Sequence, residues 1–225
     1  MSRVRLPEHF LRRFIIMIAG LYISALAVSF SLKAELGASP LSVCPAVYSP
    51  VLGLSVGTLT WVLCFIAIGV QIAVLNRRYN PWQLLQVPVA LFYGYLTDFN
   101  IFLVSFLPAG NIVLRAVYCL LGILLLGSGI FITMRPNLLM LAPDAALKAI
   151  HTVYGWPFSR LKICMDCFLV ASATAGSLLI YHRLYQVGVG TLVAMFLVGT
   201  WIGIVTKQGS LGRLLDKFMR MENID

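Results

Sequence analysis

The sequence predicts an all-α membrane protein with six transmembrane helices, arranged as an inverted 3+3 repeat with two short broken or re-entrant segments. Of its 225 residues, 60% are hydrophobic and only 11% are charged, and the mean hydropathy is +0.92. A soluble domain is nearer half apolar and a quarter charged. Several apolar runs reach about twenty residues, the length that crosses a bilayer. The composition therefore excludes a fold surrounded by water, and we expect one membrane domain over residues 1–225.

Six apolar runs define the predicted spans. Their approximate bounds are 14–33, 56–76, 82–104, 112–134, 157–181 and 187–206. Pro81 and Trp82 open the third span, since proline is tolerated in a first helical turn and tryptophan favours the membrane interface. After the last span, residues 210–225 predict an amphipathic helix on the membrane surface, because apolar and charged side chains alternate with helical period.

The basic residues predict the orientation of the spans. If the N-terminus is cytoplasmic, only Lys33, Arg115 and Arg183 lie on the far side. The other Lys and Arg residues fall on the cytoplasmic side: Arg3, Arg5, Arg12, Arg13, Arg77, Arg78, Arg135, Lys148, Arg160, Lys162, Lys207, Arg213, Lys217 and Arg220. Excess Lys and Arg marks cytoplasmic loops. This asymmetry predicts that both termini are cytoplasmic in a multi-pass protein of the cell inner membrane.

The two halves of the chain have the same hydropathy order: a long span, a short broken segment and two further spans. The first half covers about residues 14–104 and the second about 112–206. Three spans in each half is an odd number, so the second half would enter the membrane from the opposite face. Such inverted repeats occur in many small transporters. Matching identities, such as Gly20 with Gly122 and Pro40 with Pro143, add weak support.

Residues 38–54 and 141–155 are too short to span a bilayer as helices. They are either re-entrant half-helices or surface loops, since irregular backbone at membrane depth needs protein or a water-filled cavity around it. Pro40 and Pro143 are placed to begin a helix in each segment. Ser39 would then be an N-cap. Two inward-pointing N-termini would attract an anion, although Asp144 places a carboxylate at the second one.

Four short motifs resemble the YczE/YitT-like family of small bacterial membrane proteins. The third span carries the most specific one, "LLQVPVALFYGYLTDF" (residues 84–99). "LGASP" (36–40), "SVGT" (55–58) and "GVGT" (188–191) are also similar to that family. The similarity covers nearly the whole chain. It implies a bacterial inner-membrane protein with a transport or regulatory role, and it implies no particular solute.

Asp166 is the strongest candidate for a functional residue. It lies ten residues past Trp156, which places it about 15 Å into the membrane if Trp156 marks the interface. An ionisable group at that depth is costly and is a functional candidate by default. Asp166 would serve as a proton-coupling site or a cation ligand. Alternatively, Lys162, one helical turn earlier, simply neutralises it.

Asp98 and Gln86, both in the third span, are further candidates for binding a solute or ion. Asp98 is near the outer end of the span, where the far interface could solvate it instead. Gln86 is a polar side chain inside the most specific motif.

These features favour a small secondary transporter or permease with its site between the two halves. The alternatives are a non-transporting membrane regulatory partner and the solute-binding subunit of a multi-component importer. An enzyme is the least favoured class, because no nucleophile–base set and no metal-ligand cluster is evident. We expect no cofactor, no metal and no nucleic-acid partner. The expected partners are the lipid bilayer, an unidentified small solute and a second copy or another protein.

Overall fold

The computed structural model describes residues 9–220, and this part of the chain is built of helices without strands. The helices are α1 (Phe10–Ala34), α2 (Pro40–Leu52), α3 (Val56–Leu75), α4 (Gln86–Ser105), α5 (Ile112–Met134), α6 (Ala142–Tyr154), α7 (Phe158–Tyr181), α8 (Val189–Gln208) and α9 (Ser210–Arg220). Two 3-10 turns, Asn76–Arg78 and Pro81–Leu85, connect α3 to α4.

Six of the helices are long and apolar enough to cross a membrane, which confirms the predicted number of spans. The predicted bounds differ from the structure by at most a few residues at each end. The short helices α2 and α6 confirm that residues 38–54 and 141–155 each contain a broken helical segment. Pro40 is the first residue of α2, and Pro143 lies in the first turn of α6, as predicted.

The most extensive helix packing among residues 9–220 is that of α1 with α5, and small residues allow the two helices to approach. A Cβ atom on Gly20 would lie 2.6 Å from the backbone nitrogen of Thr133. One on Gly129 would lie 2.7 Å from the backbone nitrogen of Ser24. Inside a membrane, helices gain little from excluding water, so close van der Waals packing between small residues becomes a main attraction.

The other contacts between helices have a crossed arrangement. Helix α1 also packs against α4, and α5 packs against α8. The short helix α2 packs against α7, while α6 packs against α3. Helix α4 additionally packs against α3, whereas α7 and α8 have no comparable packing among residues 9–220. Each short helix therefore rests on a long helix from the other half of the chain.

Both short helices reach the middle of the long helices that they contact. In α2, the Cys44 thiol donates to the carbonyl of Leu169, 3.1 Å away, and Leu169 lies midway along α7. In α6, Ala142 packs against Cys64, which lies near the middle of α3. The two short helices are thus internal elements of the bundle rather than surface loops.

The C-terminal helix α9 lies against the end of α5. The Nε of Arg135 donates to Asp216 at 3.0 Å, and the two side chains form an ion pair. The hydrogen bonds from Arg135 to Asp216 raise the pKa of the guanidinium above its ordinary value. The predicted amphipathic tail is therefore a helix over residues 210–220. Residues 221–225, and Arg3 and Arg5 at the other terminus, lie outside the described residues.

Helices α3 and α4 cross at two glycines, and this contact generates a prediction. A Cβ atom on Gly57 would overlap the carbonyl oxygen of Gly94 and lie 2.6 Å from the Asp98 carboxylate carbon. We expect Gly57→Ala to lower the melting temperature of the purified protein by several degrees, because overpacking costs about 1–3 kcal/mol. Thermal unfolding in detergent measures this.

Gly69, in the same helix, is the matched control. An added Cβ there would meet no atom within 4 Å. Gly69→Ala should leave the melting temperature unchanged or raise it, since alanine is the better helix former by about 1 kcal/mol. Equal melting temperatures for the two variants would contradict the close crossing of α3 and α4.

Candidate functional site

Three predicted residues meet at the start of α6: Asp144, Lys162 and Asp166. The ammonium of Lys162 lies 3.2 Å from Asp144 Oδ1 and 3.4 Å from Asp166 Oδ1. Lys162 and Asp166 are one turn apart on α7, while Asp144 belongs to the first turn of α6. We call these three side chains the ionic centre. Sequence reasoning predicted the Lys162–Asp166 pair, and the structure adds Asp144 to it.

The ionic centre is largely, but not fully, withdrawn from solvent. The exposed fractions of the side chains are 36% for Lys162, 23% for Asp144 and 15% for Asp166. Asp166 Oδ1 is buried and makes an ion pair but no hydrogen bond. With one cation and two carboxylates, the formal charge is −1. The positive N-terminal end of α6 favours the Asp144 carboxylate by a few tenths to about 1 kcal/mol.

A pair of buried glutamines connects this region to α3 and α4. The amides of Gln71 and Gln86 exchange two hydrogen bonds, of 3.0 and 3.3 Å. The Nε2 of Gln71 also donates to the carbonyl of Ala142, 3.0 Å away, at the first residue of α6. Gln86 was a predicted candidate. Gln71 was not predicted, although a glutamine inside an apolar span is the kind of signal that could have identified it.

Adjacent residues of α3 and α7 contribute to different parts of the bundle near the ionic centre. Leu63 of α3 and Met165 of α7 pack against the core that surrounds α2. The next residue along each helix belongs to the other side: Cys64 packs against Ala142, and Asp166 pairs with Lys162. Lys162, which pairs with Asp166, also pairs with Asp144 of α6, so one position of each adjacent pair belongs to the α2 side and the other to the α6 side.

The first short helix begins without a charged group. Ser39 has the extended backbone of an N-cap, but its hydroxyl makes no capping bond to the backbone. Ser39 is therefore the N-cap residue of α2, as predicted, but it caps the helix without a side-chain bond. The hydroxyl instead lies 2.9 Å from that of Ser42, because both side chains are buried and each needs a partner. Pro40 follows as the first helical residue.

The "LGASP" segment joins the first half of the chain to the start of α8. The Gly190 amide donates to the carbonyl of Leu36 at 2.8 Å, and the Ala38 amide donates to Gln186 at 2.9 Å. Gly37 has a φ of 123°, and a Cβ there would lie 2.7 Å from the Thr191 backbone nitrogen. Close backbone approach therefore explains the glycines of both "LGASP" and "GVGT".

Asp98 lies away from the ionic centre and caps α3. Its carboxylate accepts a 2.6 Å hydrogen bond from the Ser55 hydroxyl and a 2.7 Å bond from the Gly57 amide. Amide groups at a helix start have no partner within the helix, and a carboxylate satisfies them well. This contact links "SVGT" to the end of the third-span motif, where Asp98 lies. A role for Asp98 in binding a solute stays a prediction.

These features define the class: a multi-pass α-helical membrane protein with two internal short helices and an ionic centre at the start of one of them. The chain belongs to the family described as "Family of unknown function (DUF6198)", which matches residues 11–207. No curated protein and no solved structure matches the chain. The resemblance to the YczE/YitT-like family stays a prediction.

The capping role of Asp98 predicts a stability effect. We expect Asp98→Ala to lower the melting temperature by several degrees, because loss of a helix cap costs about 0.5–2 kcal/mol. Asp98→Asn keeps one acceptor oxygen, so its melting temperature should lie between those of Asp98→Ala and the wild type. Thermal unfolding in detergent is the measurement. The double variant Ser55→Ala, Asp98→Ala should lose less stability than the sum of the two single variants, because the two side chains share one hydrogen bond. A wild-type melting temperature for Asp98→Ala would contradict the cap.

Proposed function

We propose that this protein is a small secondary transporter of the bacterial inner membrane, with both termini in the cytoplasm. The observation that carries the proposal is the ionic centre at the start of α6. Ionisable groups inside a membrane bundle are costly to bury. They are therefore found mainly where they pair tightly or serve a function. Here the pairing leaves one carboxylate in excess, and Asp166 Oδ1 without a hydrogen bond.

The crossed packing of the bundle supports an inverted repeat of two halves. In this repeat, α1 to α4 correspond in order to α5 to α8. The α2–α7 contact then corresponds to the α6–α3 contact, and the α1–α4 contact corresponds to the α5–α8 contact. The α1–α5 pair lies between the halves. The packing of α3 on α4 lacks a counterpart of similar extent, so the proposed two-fold relation is approximate. Transporters of this type bind solutes at broken helices between the repeats.

The chemistry of the ionic centre suits proton coupling. Lys162 is within reach of both Asp144 and Asp166, so protonation of one carboxylate lets the lysine pair with the other. Such an exchange would change which contacts hold α6 against α7. A transporter needs such a link, because a bound proton shifts a conformational equilibrium only through contacts that differ between the two states.

A flux assay with the purified protein tests this proposal. The protein is reconstituted into liposomes that contain a pH-sensitive dye, and small cations, amino acids, sugars and carboxylates are added outside in turn. We expect at least one solute to change the internal pH. Asp166→Asn should then reduce that rate at least tenfold, about 1.4 kcal/mol in activation free energy, because it removes the proton acceptor while preserving shape.

Glu35→Gln is the matched control for loss of one carboxylate. Glu35 pairs with Arg115 at 2.9 Å, is 56% exposed and lies outside the ionic centre. The flux through Glu35→Gln should equal that of the wild type. Unchanged flux in Asp166→Asn would remove Asp166 from the mechanism. Absence of flux for every solute, together with co-purification of one stable partner protein, would favour the non-transporting regulatory alternative.

A further inference from the structure

Two cavities adjoin at the end of the bundle where α3 ends and α4 begins. The first, of about 660 Å³, has basic and amide side chains in an otherwise largely apolar wall, and it is bounded by the 3-10 turns, α6 and the segment between α5 and α6. The second, of about 570 Å³, is a groove between α1 and α4. Trp82, Leu138 and Leu139 belong to the walls of both. We call them the head pocket and the chain groove.

The head pocket carries basic and amide side chains. Arg78, Lys148 and His151 contribute to its wall, and no carboxylate is among the described residues that line it. Within residues 9–220, neither Arg78 nor Lys148 makes an ion pair. Gln83, also in the wall, has a buried Oε1 atom without a hydrogen-bond partner. This wall suits a ligand group that is anionic and that also offers a hydroxyl donor.

The chain groove has no charged or amide side chain among the described residues that line it. Its wall consists of aromatic and aliphatic residues, among them Phe10 and Phe14 of α1 and Phe92 of α4. It extends along α1 from Phe10 to Ile18, a length of about 12 Å at 1.5 Å per residue. Phe14, Leu85 and Phe92 are partly exposed, so the groove is open on its outer side. An apolar chain of about that length could lie in it.

From this juxtaposition we propose that the two cavities form one binding site for an anionic phospholipid. The phosphate and glycerol hydroxyls of its headgroup occupy the head pocket beside Arg78 and Lys148, and an acyl chain lies in the chain groove. Each buried methylene of such a chain is favourable by about 0.8 kcal/mol, and basic pockets between membrane helices bind anionic headgroups. The proposal does not depend on transport.

The placement of Trp82 strengthens the match to a lipid. Its backbone amide donates to Asn80 Oδ1 at 3.0 Å, which fixes the start of the second 3-10 turn. Trp82 then lies where the cavity with basic and amide side chains meets the apolar groove. Tryptophan is enriched at the interface between headgroups and acyl chains. The polar-to-apolar boundary of the site thus coincides with a residue that favours this level of a bilayer.

Lipid titration of the purified full-length protein tests the site. The protein is delipidated in maltoside detergent and titrated with dioleoyl phosphatidylglycerol, dioleoyl phosphatidylcholine, dihexanoyl phosphatidylglycerol or glycerol 3-phosphate. Native mass spectrometry measures bound lipid, and thermal unfolding measures stabilisation. We expect dioleoyl phosphatidylglycerol to bind at least tenfold more tightly than the choline lipid and the short-chain lipid. Glycerol 3-phosphate alone should give no stabilisation.

Charge variants locate the headgroup. Arg78→Gln with Lys148→Gln should weaken the binding of dioleoyl phosphatidylglycerol at least tenfold. The matched control is Lys207→Gln with Arg213→Gln, which removes the same charge from exposed positions outside both cavities. This control should bind as the wild type does. If the double variant fails to fold, Arg78→Gln alone, in an exposed turn, replaces it.

Three results would overturn the proposal. Equal affinity for dioleoyl phosphatidylglycerol and dioleoyl phosphatidylcholine would show that the head pocket does not select an anion. Equal stabilisation by glycerol 3-phosphate would identify a site for a free phosphate compound instead of a lipid. Equal binding by the head-pocket variant and its control would place the lipid elsewhere.

Discussion

The ion pairs of Lys162 with Asp144 and Asp166 are the constraint around which the second half of the structure is organised. Buried carboxylates without a partner would each cost several kcal/mol, and the lysine offsets that cost for Asp144 only if α6 starts beside α7. The carbonyl of Ala142, at the same helix start, is bonded by Gln71. Lys162 and Gln71 thus give the carboxylates and the first carbonyl of this short helix partners inside the protein.

The same requirement accounts for the motifs that resemble a known family. Asp98 satisfies the start of α3, and the "LGASP" backbone bonds to the start of α8. These motifs therefore hold helix ends in place, and they do so through glycines that allow the backbones to approach. Their structural role differs from that of the ionic centre, whose groups retain an excess carboxylate and an unbonded oxygen. The first set explains the fold, and the second is the basis of the proposed transport.

The features that sequence reasoning predicted correctly are those encoded locally. Runs of apolar residues define the six spans, and prolines define the starts of α2 and α6. The pairing of Lys162 with Asp166 follows from a spacing of four residues. The third member, Asp144, could not be paired from sequence, because its contact depends on how α6 packs against α7. For the same reason, the hydrogen bond that holds Ser39 and the cap formed by Asp98 required the tertiary structure.

The proposed transport requires that the ionic centre be reached from each side of the membrane in turn. Cys64 reports on it, because it packs against the first residue of α6 and is 2% exposed. The measurement is labelling of a chain whose other four cysteines are replaced, using a membrane-impermeant thiol reagent on right-side-out and inverted vesicles. Alternating access predicts labelling from both sides, at different rates. Labelling from one side only, or from neither while the protein remains folded, would contradict the account.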